Sequence, residues 1–199
     1  MNSEWIIAVG ASGSAGLEDI CVLLSVLPHD LNAVVLVVLH RPWDQRSYLD
    51  EVLSKRSRIP VKIASQGDRL VPGVAYIGEP SIHLTLLERR HALLTRDRAR
   101  LYGNRTVDLL FQSVADCGGS KTIGVVLSGA LDDGSRGMAA IHHAGGHTMA
   151  LRPASRASHG MPENAIAFDG PVTVIGSGSD LAAAIVHLVS EAAEKLAAV

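Results

Sequence analysis

The stretch from Trp5 to Ile20, WIIAVGASGSAGLEDI, changes character at Gly10. Ile6–Val9 is an apolar run typical of a buried strand. Three glycines spaced three residues apart then lead into a helical pattern that starts at Leu17. This order predicts a strand, a tight turn and a helix. Such a turn either cradles a phosphate or holds Ser12 at the edge of a sheet as a nucleophile.

The alternation of strands and helices continues along most of the chain. Strands are predicted at Ile6–Val9, Val34–Leu39, Thr122–Leu127, Thr148–Leu151 and Val172–Ile175, and helices at Leu17–Leu27, Ser47–Ser57, Val107–Cys117 and Gly134–His143, with a last helix capped by Ser179 and Asp180. Continuous apolar strands separated by helices predict a parallel sheet with helices on both faces. Between Val61 and Thr95, short apolar runs separated by turns predict short strands or a hairpin appended to the sheet. We predict one doubly wound α/β domain over residues 1–199, with a small inserted β-hairpin region.

Composition excludes several classes of protein. The 199 residues are 47% hydrophobic and carry a formal net charge of −2, without a basic stripe of interleaved aromatic residues. Nucleic acid is therefore not an expected partner. The longest apolar runs, such as Ala33–Leu39, are far shorter than the ~20 residues that a membrane span needs. The two cysteines, Cys21 and Cys117, make no disulfide framework. We expect a cytoplasmic protein without membrane insertion.

Three polar groups follow predicted strands. In an open parallel sheet the functional crevice lies at the carboxyl ends of the strands. Ser12 follows the first strand, His40 ends the second, and Asp132 and Asp133 follow the strand that ends at Leu127. A hydroxyl, an imidazole and a carboxylate are the groups of an activated serine nucleophile. The helix after the first turn adds unpaired backbone N–H groups suited to an oxyanion.

A nucleotide-binding alternative remains open on these residues. The glycine spacing resembles a dinucleotide fingerprint, which also needs an acidic residue at the end of the second strand. His40 occupies that position, although the adjacent Arg41 could meet a 2′-phosphate. The three residues His142, His143 and His147 do not predict a metal site, because a pair of glycines interrupts their helical spacing and no carboxylate or cysteine joins them. We favour a hydrolase that needs no metal or cofactor.

Six segments resemble one known family in sequence and order. They are VGAS, LHRP, YIGEPSIHL, TVDLLFQSVA, VVLSGALDDGSRGMAAIHHAGG and HGMPENAI, and they are similar to segments of the catalytic domain of the bacterial chemotaxis protein-glutamate methylesterase, CheB. The resemblance runs from Ile6 to about Val189. It implies a hydrolase that removes methyl groups from glutamate methyl esters on chemoreceptor helices and can deamidate certain glutamines. By position, Ser12 is the implied nucleophile, His40 the base and Asp133 its orienting carboxylate.

The resemblance also implies partners. These are the methylated cytoplasmic helices of chemoreceptors, with a receptor methyltransferase or a separate receiver protein as further candidates. In the usual chemotaxis enzyme a receiver domain precedes the catalytic domain, whereas this chain opens almost directly into its first strand. We therefore expect either an excised catalytic domain or a stand-alone esterase, and the initial Met1 favours the stand-alone esterase.

Departures from the family pattern surround the implied site. The turn GASGSAG is one residue longer than the family turn, so Ser14 is an alternative nucleophile. Ala130 replaces a methionine and Leu131 replaces a glycine. We assign oxyanion or substrate binding to Gly13, Ser14, Ala130 and Met161. If the altered loop at Ala130–Leu131 blocks the site, the chain is instead a non-catalytic module that binds a receptor or methyltransferase.

Overall fold

The computed structural model describes residues 4–42, 47–88, 90–96, 105–153, 160–170 and 172–197. Its strands are β1 (Trp5–Ser12), β2 (Ala33–His40), β3 (Val61–Ile63), β4 (Ala75–Ile77), β5 (His83–Leu87), β6 (His91–Thr95), β7 (Thr122–Val126), β8 (His147–Leu151) and β9 (Val174–Gly176). Its helices are α1 (Gly13–Val26), α2 (Leu49–Arg56), α3 (Thr106–Gly118), α4 (Ser135–His143), α5 (Met161–Ala167) and α6 (Gly178–Ala197).

Within these residues, seven strands form one parallel sheet in the order β3-β4-β2-β1-β7-β8-β9. The chain runs outward from β1 to β2 on one side and returns to β7 on the other side. This reversal of strand order opens a crevice at the carboxyl ends of the central strands. The doubly wound α/β prediction is confirmed, and the carboxyl ends of β1, β2 and β7 meet in that crevice.

The central strand β1 separates two apolar cores because side chains alternate along a strand. Ile7 and Val9 face the core that includes buried residues of α1 and α6, whereas Ile6 and Ala8 face the core that includes buried residues of α3 and α4. Both faces of β1 are buried. This burial explains why its sequence is continuously apolar instead of alternating. In the described part of the chain, no helix is long and apolar enough to cross a membrane.

The four short strands between Val61 and Thr95 belong to two different sheets, which the sequence did not predict. β5 and β6 form an antiparallel hairpin, as expected. The two runs before it, β3 and β4, are instead parallel strands at the edge of the main sheet. Each of them has only three residues, so hydrophobic periodicity has too little length to show a direction of pairing.

Helix ends were the weakest part of the prediction. α1 begins at Gly13, four residues before the predicted start, and therefore includes Ser14 in its first turn. α5 was not predicted as a helix. Of the two predicted caps of the last helix, Asp180 does cap it, because it accepts the Ser177 amide, whereas the residue before the helix is Ser177 and not Ser179; the Ser177 hydroxyl accepts the Asp180 amide in return. Helix ends depend on such local hydrogen bonds more than on periodicity.

α3 lies against β1 at a glycine. A Cβ atom on Gly10 would come within 2.2 Å of Cγ1 of Val107, and one on Gly134 within 2.9 Å of the same atom. Val107 is fully buried in the first turn of α3. The two glycines therefore let the start of α3 approach both the end of β1 and the loop after β7.

We predict that Gly10→Ala lowers the free energy of unfolding by about 1–3 kcal/mol, because the new methyl group overpacks Val107. Val107→Ala alone removes buried methyl groups and costs on the order of 2 kcal/mol. In the double variant the alanine at position 10 occupies the vacated space, so the cost is smaller than the sum by at least about 0.5 kcal/mol. Urea unfolding of the four proteins measures this coupling, and additive costs would contradict the close contact.

Candidate active site

Ser12 is the last residue of β1 and the residue that precedes α1. Its backbone is extended, with φ −144° and ψ 140°, and its hydroxyl makes no capping hydrogen bond to the helix. A serine at this position ordinarily accepts an N–H bond from the first turn. The Ser12 side chain is half-buried and uncommitted. Its hydroxyl therefore remains available for another partner at the end of β1.

His40 ends β2 directly beside Ser12, since the two residues are register partners in the parallel ladder. Neighbouring strands lie about 4.8 Å apart, so the two side chains start from adjacent backbone positions. The next residue, Arg41, donates to the carbonyl oxygens of Gly78 at 2.6 Å and Leu39 at 3.2 Å. The Arg41 guanidinium thus ties the end of β2 to the end of β4. Burial lowers the pKa of Arg41, and the Glu79 and Asp50 charges oppose that shift.

Asp133 brings the carboxylate to this pair. It follows β7, is 5% exposed, and places Oδ2 2.7 Å from Nε2 of His40. The same nitrogen is buried without a linear hydrogen bond, so the short contact lies off the direction of the ring N–H. Nε2 is thus the ring nitrogen of His40 that lies next to Asp133. The neighbouring Asp132 is exposed instead.

The loop that carries Asp133 is anchored along its length. Ser128 donates its amide to Oδ2 of Asp19 at 3.1 Å and accepts the Ser12 amide at 2.8 Å. Further bonds join the Met161 amide to the Gly129 carbonyl (2.8 Å) and the Asn164 side chain to the Leu131 carbonyl (2.7 Å). α1 and α5 thus both hold this loop against β1.

Gly129 lies between Ser12 and Met161. A Cβ atom there would come within 2.2 Å of the Met161 sulfur and 2.8 Å of Cβ of Ser12. Met161 is fully buried, so its side chain supports the loop from the core. Its amide is already bonded to Gly129 and is not available to an oxyanion. In this structure Met161 packs against Gly129, and its contact with a substrate stays a prediction.

Three backbone amides lie close to Ser12, either directly after it in the chain or in the adjacent loop. Gly13 and Ser14 are the first two residues of α1, and both are exposed. Their N–H groups precede the first intrahelical hydrogen bond and have no partner within the helix. The exposed Ala130 pairs with Gly160 in an isolated bridge, and its amide has no hydrogen-bond partner among the described residues. Gly13 and Ser14 directly follow Ser12 in the chain, and Ala130 lies in the loop whose residues Ser128 and Gly129 contact Ser12.

Leu131 is the most unusual residue of the loop. It is 67% exposed and has φ of +68° in the left-handed region, which an L side chain adopts at a cost of about 1–2 kcal/mol. Its side chain projects into solvent and does not pack into the site. Leucine in place of the family's glycine at position 131 therefore adds an exposed side chain to the loop, and it does not bury Gly13 and Ser14, which stay exposed.

Arg41 and the histidines of α4 are the residues on which a nucleotide or metal site would depend. Arg41, the candidate for a 2′-phosphate, is turned toward two backbone carbonyls. The rings of His142 and His143 are 5.8 Å apart, and no described set of three or more His, Cys, Asp or Glu side chains could hold a metal ion.

Asp108 is a buried residue near the site that sequence reasoning missed. Its Oδ1 accepts the amides of Gly134 (3.0 Å) and Gly137 (2.9 Å), both at the start of α4. Burial raises the pKa of Asp108, and the nearby Asp133 charge raises it further, while the two amides and the Arg105 guanidinium act in the opposite direction. An acidic residue in a first helical turn is usually assigned to its own helix, so the sequence alone did not connect Asp108 to α4.

The raised pKa of Asp108 predicts a pH-dependent stability. The folded protein holds this proton more tightly than the unfolded chain, whose value is about 3.9. Ionising Asp108 therefore costs folding free energy. From about pH 4 upward through the folded-state pKa, the wild type should lose stability relative to Asp108→Asn. Urea unfolding across this pH range measures the difference in free energy of unfolding between Asp108→Asn and the wild type. Asp116→Asn, on the exposed face of α3, is the control. A difference that does not grow with pH would contradict the raised pKa of Asp108.

Leu131→Gly should raise the free energy of unfolding by about 0.5–1 kcal/mol, because glycine adopts a positive φ without steric cost. The matched control is Ala130→Gly, at an exposed neighbour outside the left-handed region. That change should lower stability by about 0.5–1 kcal/mol. Urea unfolding measures both, and destabilisation by Leu131→Gly would contradict the assignment of strain.

Comparisons with known proteins agree with this architecture. The family model described as CheB methylesterase matches residues 7–185. The protein-glutamate methylesterase/protein-glutamine glutaminase of Pectobacterium atrosepticum is 37% identical over 178 residues, and that of Salmonella typhimurium strain LT2 is 36% identical over 178 residues. Both alignments cover 88% of this chain and 50% of the relative, so the chain spans about half the length of these curated relatives.

A solved structure is similar over nearly the whole chain. The crystal structure of the Thermotoga maritima CheB methylesterase catalytic domain superposes with a TM-score of 0.83 at 26% identity. The match covers 94% of this chain and 99% of that domain. Fold, sequence motifs and family model agree, and the chain belongs to the CheB methylesterase family.

Proposed function

We propose that this chain hydrolyses methyl esters of protein glutamate side chains, with Ser12 as nucleophile, His40 as base and Asp133 as the orienting carboxylate. The observation that carries the proposal is the uncommitted Ser12 hydroxyl beside His40, whose Nε2 lies 2.7 Å from the buried Asp133 carboxylate. The names of the relatives support the same reaction class.

In the first half of the reaction, the Ser12 oxygen attacks the γ-carbonyl carbon of the ester. Nδ1 of His40 takes the hydroxyl proton, and Asp133 stabilises the resulting imidazolium from the opposite side of the ring. Collapse of the tetrahedral intermediate breaks the bond to the methoxy group. The imidazolium returns the proton to that group, so methanol leaves and a glutamyl ester of Ser12 remains.

In the second half, water attacks the Ser12 ester with His40 again as the base. The glutamate carboxylate is released and the Ser12 hydroxyl is restored. A glutamine side chain can follow the same route with ammonia as the leaving group, which would account for a glutaminase activity such as the one in the relatives' name.

The negative charge of each tetrahedral intermediate needs donors aimed at the former carbonyl oxygen. We assign this role to the amides of Gly13 and Ser14 at the positive end of α1, together with the amide of Ala130. Glycine at position 13 suits this role, since it has φ +70° and a Cβ there would meet no atom within 4 Å. The turn is therefore open on the side from which a substrate would approach.

We further propose that the substrates are the methylated cytoplasmic helices of chemoreceptors, and that the chain acts in the cytoplasm. A receptor methyltransferase or a separate receiver protein is the proposed additional partner. A long helical substrate suits a reactive group at the edge of a sheet, and the half-buried Ser12 is followed there by the exposed Gly13 and Ser14.

Ser12→Ala should abolish covalent labelling by a fluorophosphonate and lower the rate of methanol release from a receptor fragment by about 10⁴-fold or more, because no nucleophile remains. His40→Ala should abolish labelling as well. Mass spectrometry locates the labelled residue, and a coupled alcohol assay follows methanol.

Ser14→Ala is the matched control, since Ser14 is an exposed serine two residues away. It should retain activity within about threefold of the wild type, because the proposed mechanism uses only the Ser14 backbone amide, which alanine keeps. Labelling at Ser14 would overturn the choice of nucleophile. A wild type that releases no methanol and takes no label would favour the non-catalytic binding module.

A further inference from the structure

Both oxygens of the Asp133 carboxylate are held by the first turn of α3. Oδ2 accepts the Val107 amide at 2.9 Å, and Oδ1 accepts the Asp108 amide at 2.8 Å. Asp133 lies 25 residues beyond the nearer of these donors, so the bonds join distant parts of the chain. The orientation of Asp133 toward His40 therefore depends on where α3 begins.

The Asp108 side chain makes the reciprocal connection. Its Oδ1 accepts the amides of Gly134 and Gly137 at the start of α4, and its Oδ2 lies 3.4 Å from the Arg105 guanidinium. Gly134 is the residue directly after Asp133. The segment that carries Asp133 is thus held twice, once through its carboxylate and once through the next backbone amide.

This crossed arrangement leaves little freedom between the two helix starts. A Cβ atom on Gly137 would come within 2.4 Å of Cβ of Phe111 and 3.2 Å of the Asp108 carbonyl oxygen. α3 and α4 therefore approach too closely for either start to shift alone. Four amide-to-carboxylate bonds and this close packing define one position for Asp133.

Helix capping alone does not account for two adjacent buried carboxylates. Serine or asparagine caps a helix as well as aspartate and without a buried charge, and burial penalises the charged form of a carboxyl group. The charge of Asp133 lies next to His40. Among the described interactions, Asp108 makes no contact with His40 and is linked to it only through Asp133. The placement of Asp108 is explained if the orientation of Asp133 depends on it.

We propose that Asp108 is a positioning residue that fixes the Asp133 carboxylate against His40 by tying the starts of α3 and α4 together. The inference rests on the proposed roles of Ser12, His40 and Asp133. The groups that face Asp108 are Asp133, the Arg105 guanidinium and the first amides of α4, and no substrate contact is assigned to it.

The test compares Asp108→Ala with Asp108→Asn, because asparagine keeps an acceptor for the two α4 amides and alanine does not. Asp108→Ala should lower kcat about ten- to a hundredfold with KM changed less than about threefold, the pattern of lost alignment in the reacting state. Asp108→Asn should recover activity to within about fivefold of the wild type. Asp116→Asn, on the exposed face of α3, makes the same charge change away from the site and should leave kcat unchanged.

A purely structural role predicts a different pattern. Partial unfolding would lower the fraction of Ser12 that can be labelled by a fluorophosphonate, with a normal rate constant for the sites that remain. Positioning predicts full labelling at a lower rate constant for Asp108→Ala. An unchanged rate constant per labelled site, or equal losses in the alanine and asparagine variants, would overturn the proposal.

Crystal structures of the wild type and Asp108→Ala give a readout that does not need activity. The distance between Asp133 Oδ2 and His40 Nε2 should lengthen by about 1 Å or more in the variant, a displacement of the size that costs about a hundredfold in rate. An unchanged distance overturns the positioning role. If the wild type takes no label, the hydrolase proposal fails, and this distance still decides the role of Asp108.

Discussion

A buried carboxylate must be hydrogen bonded on both of its oxygens, and in this protein that requirement applies to Asp133. Water cannot supply the bonds, because only 5% of the residue is exposed. The first two amides of α3 supply them instead, while the imidazole of His40 approaches one of the same oxygens. The site therefore forms only where the start of α3, the end of β2 and the loop after β7 pack together around Asp133.

Small residues make that convergence possible. Gly10 admits the first turn of α3 against β1, and Gly129 fits between Ser12 and Met161. Gly16 lets α1 pass close to the loop, since a Cβ atom there would lie 2.7 Å from the Ser128 carbonyl oxygen. Two of the three glycines that resemble a phosphate-binding fingerprint, Gly10 and Gly16, are thus needed for close packing. A glycine motif read without its neighbours does not distinguish these uses.

The ends of the predicted strands carried the information that places Ser12 near His40. Ser12 and His40 could be placed side by side, because parallel strands deliver their last residues to one edge and the register joins this pair directly. The choice of Asp133 over Asp132 came from a family motif. Asp108 was missed because its partners lie at the start of another helix, 26 and 29 residues away.

Strand–helix alternation and continuous apolar strands, which are local properties of the chain, determined the doubly wound class and the edge of the sheet that carries the polar groups. Only the tertiary structure decided which strands β3 and β4 join, that the Ser12 hydroxyl caps no helix, and that Asp133 caps α3 while Asp108 caps α4. Periodicity reports which face of an element is buried. It carries no information about which distant amide satisfies a buried carboxylate, because that choice depends on how two helices pack together.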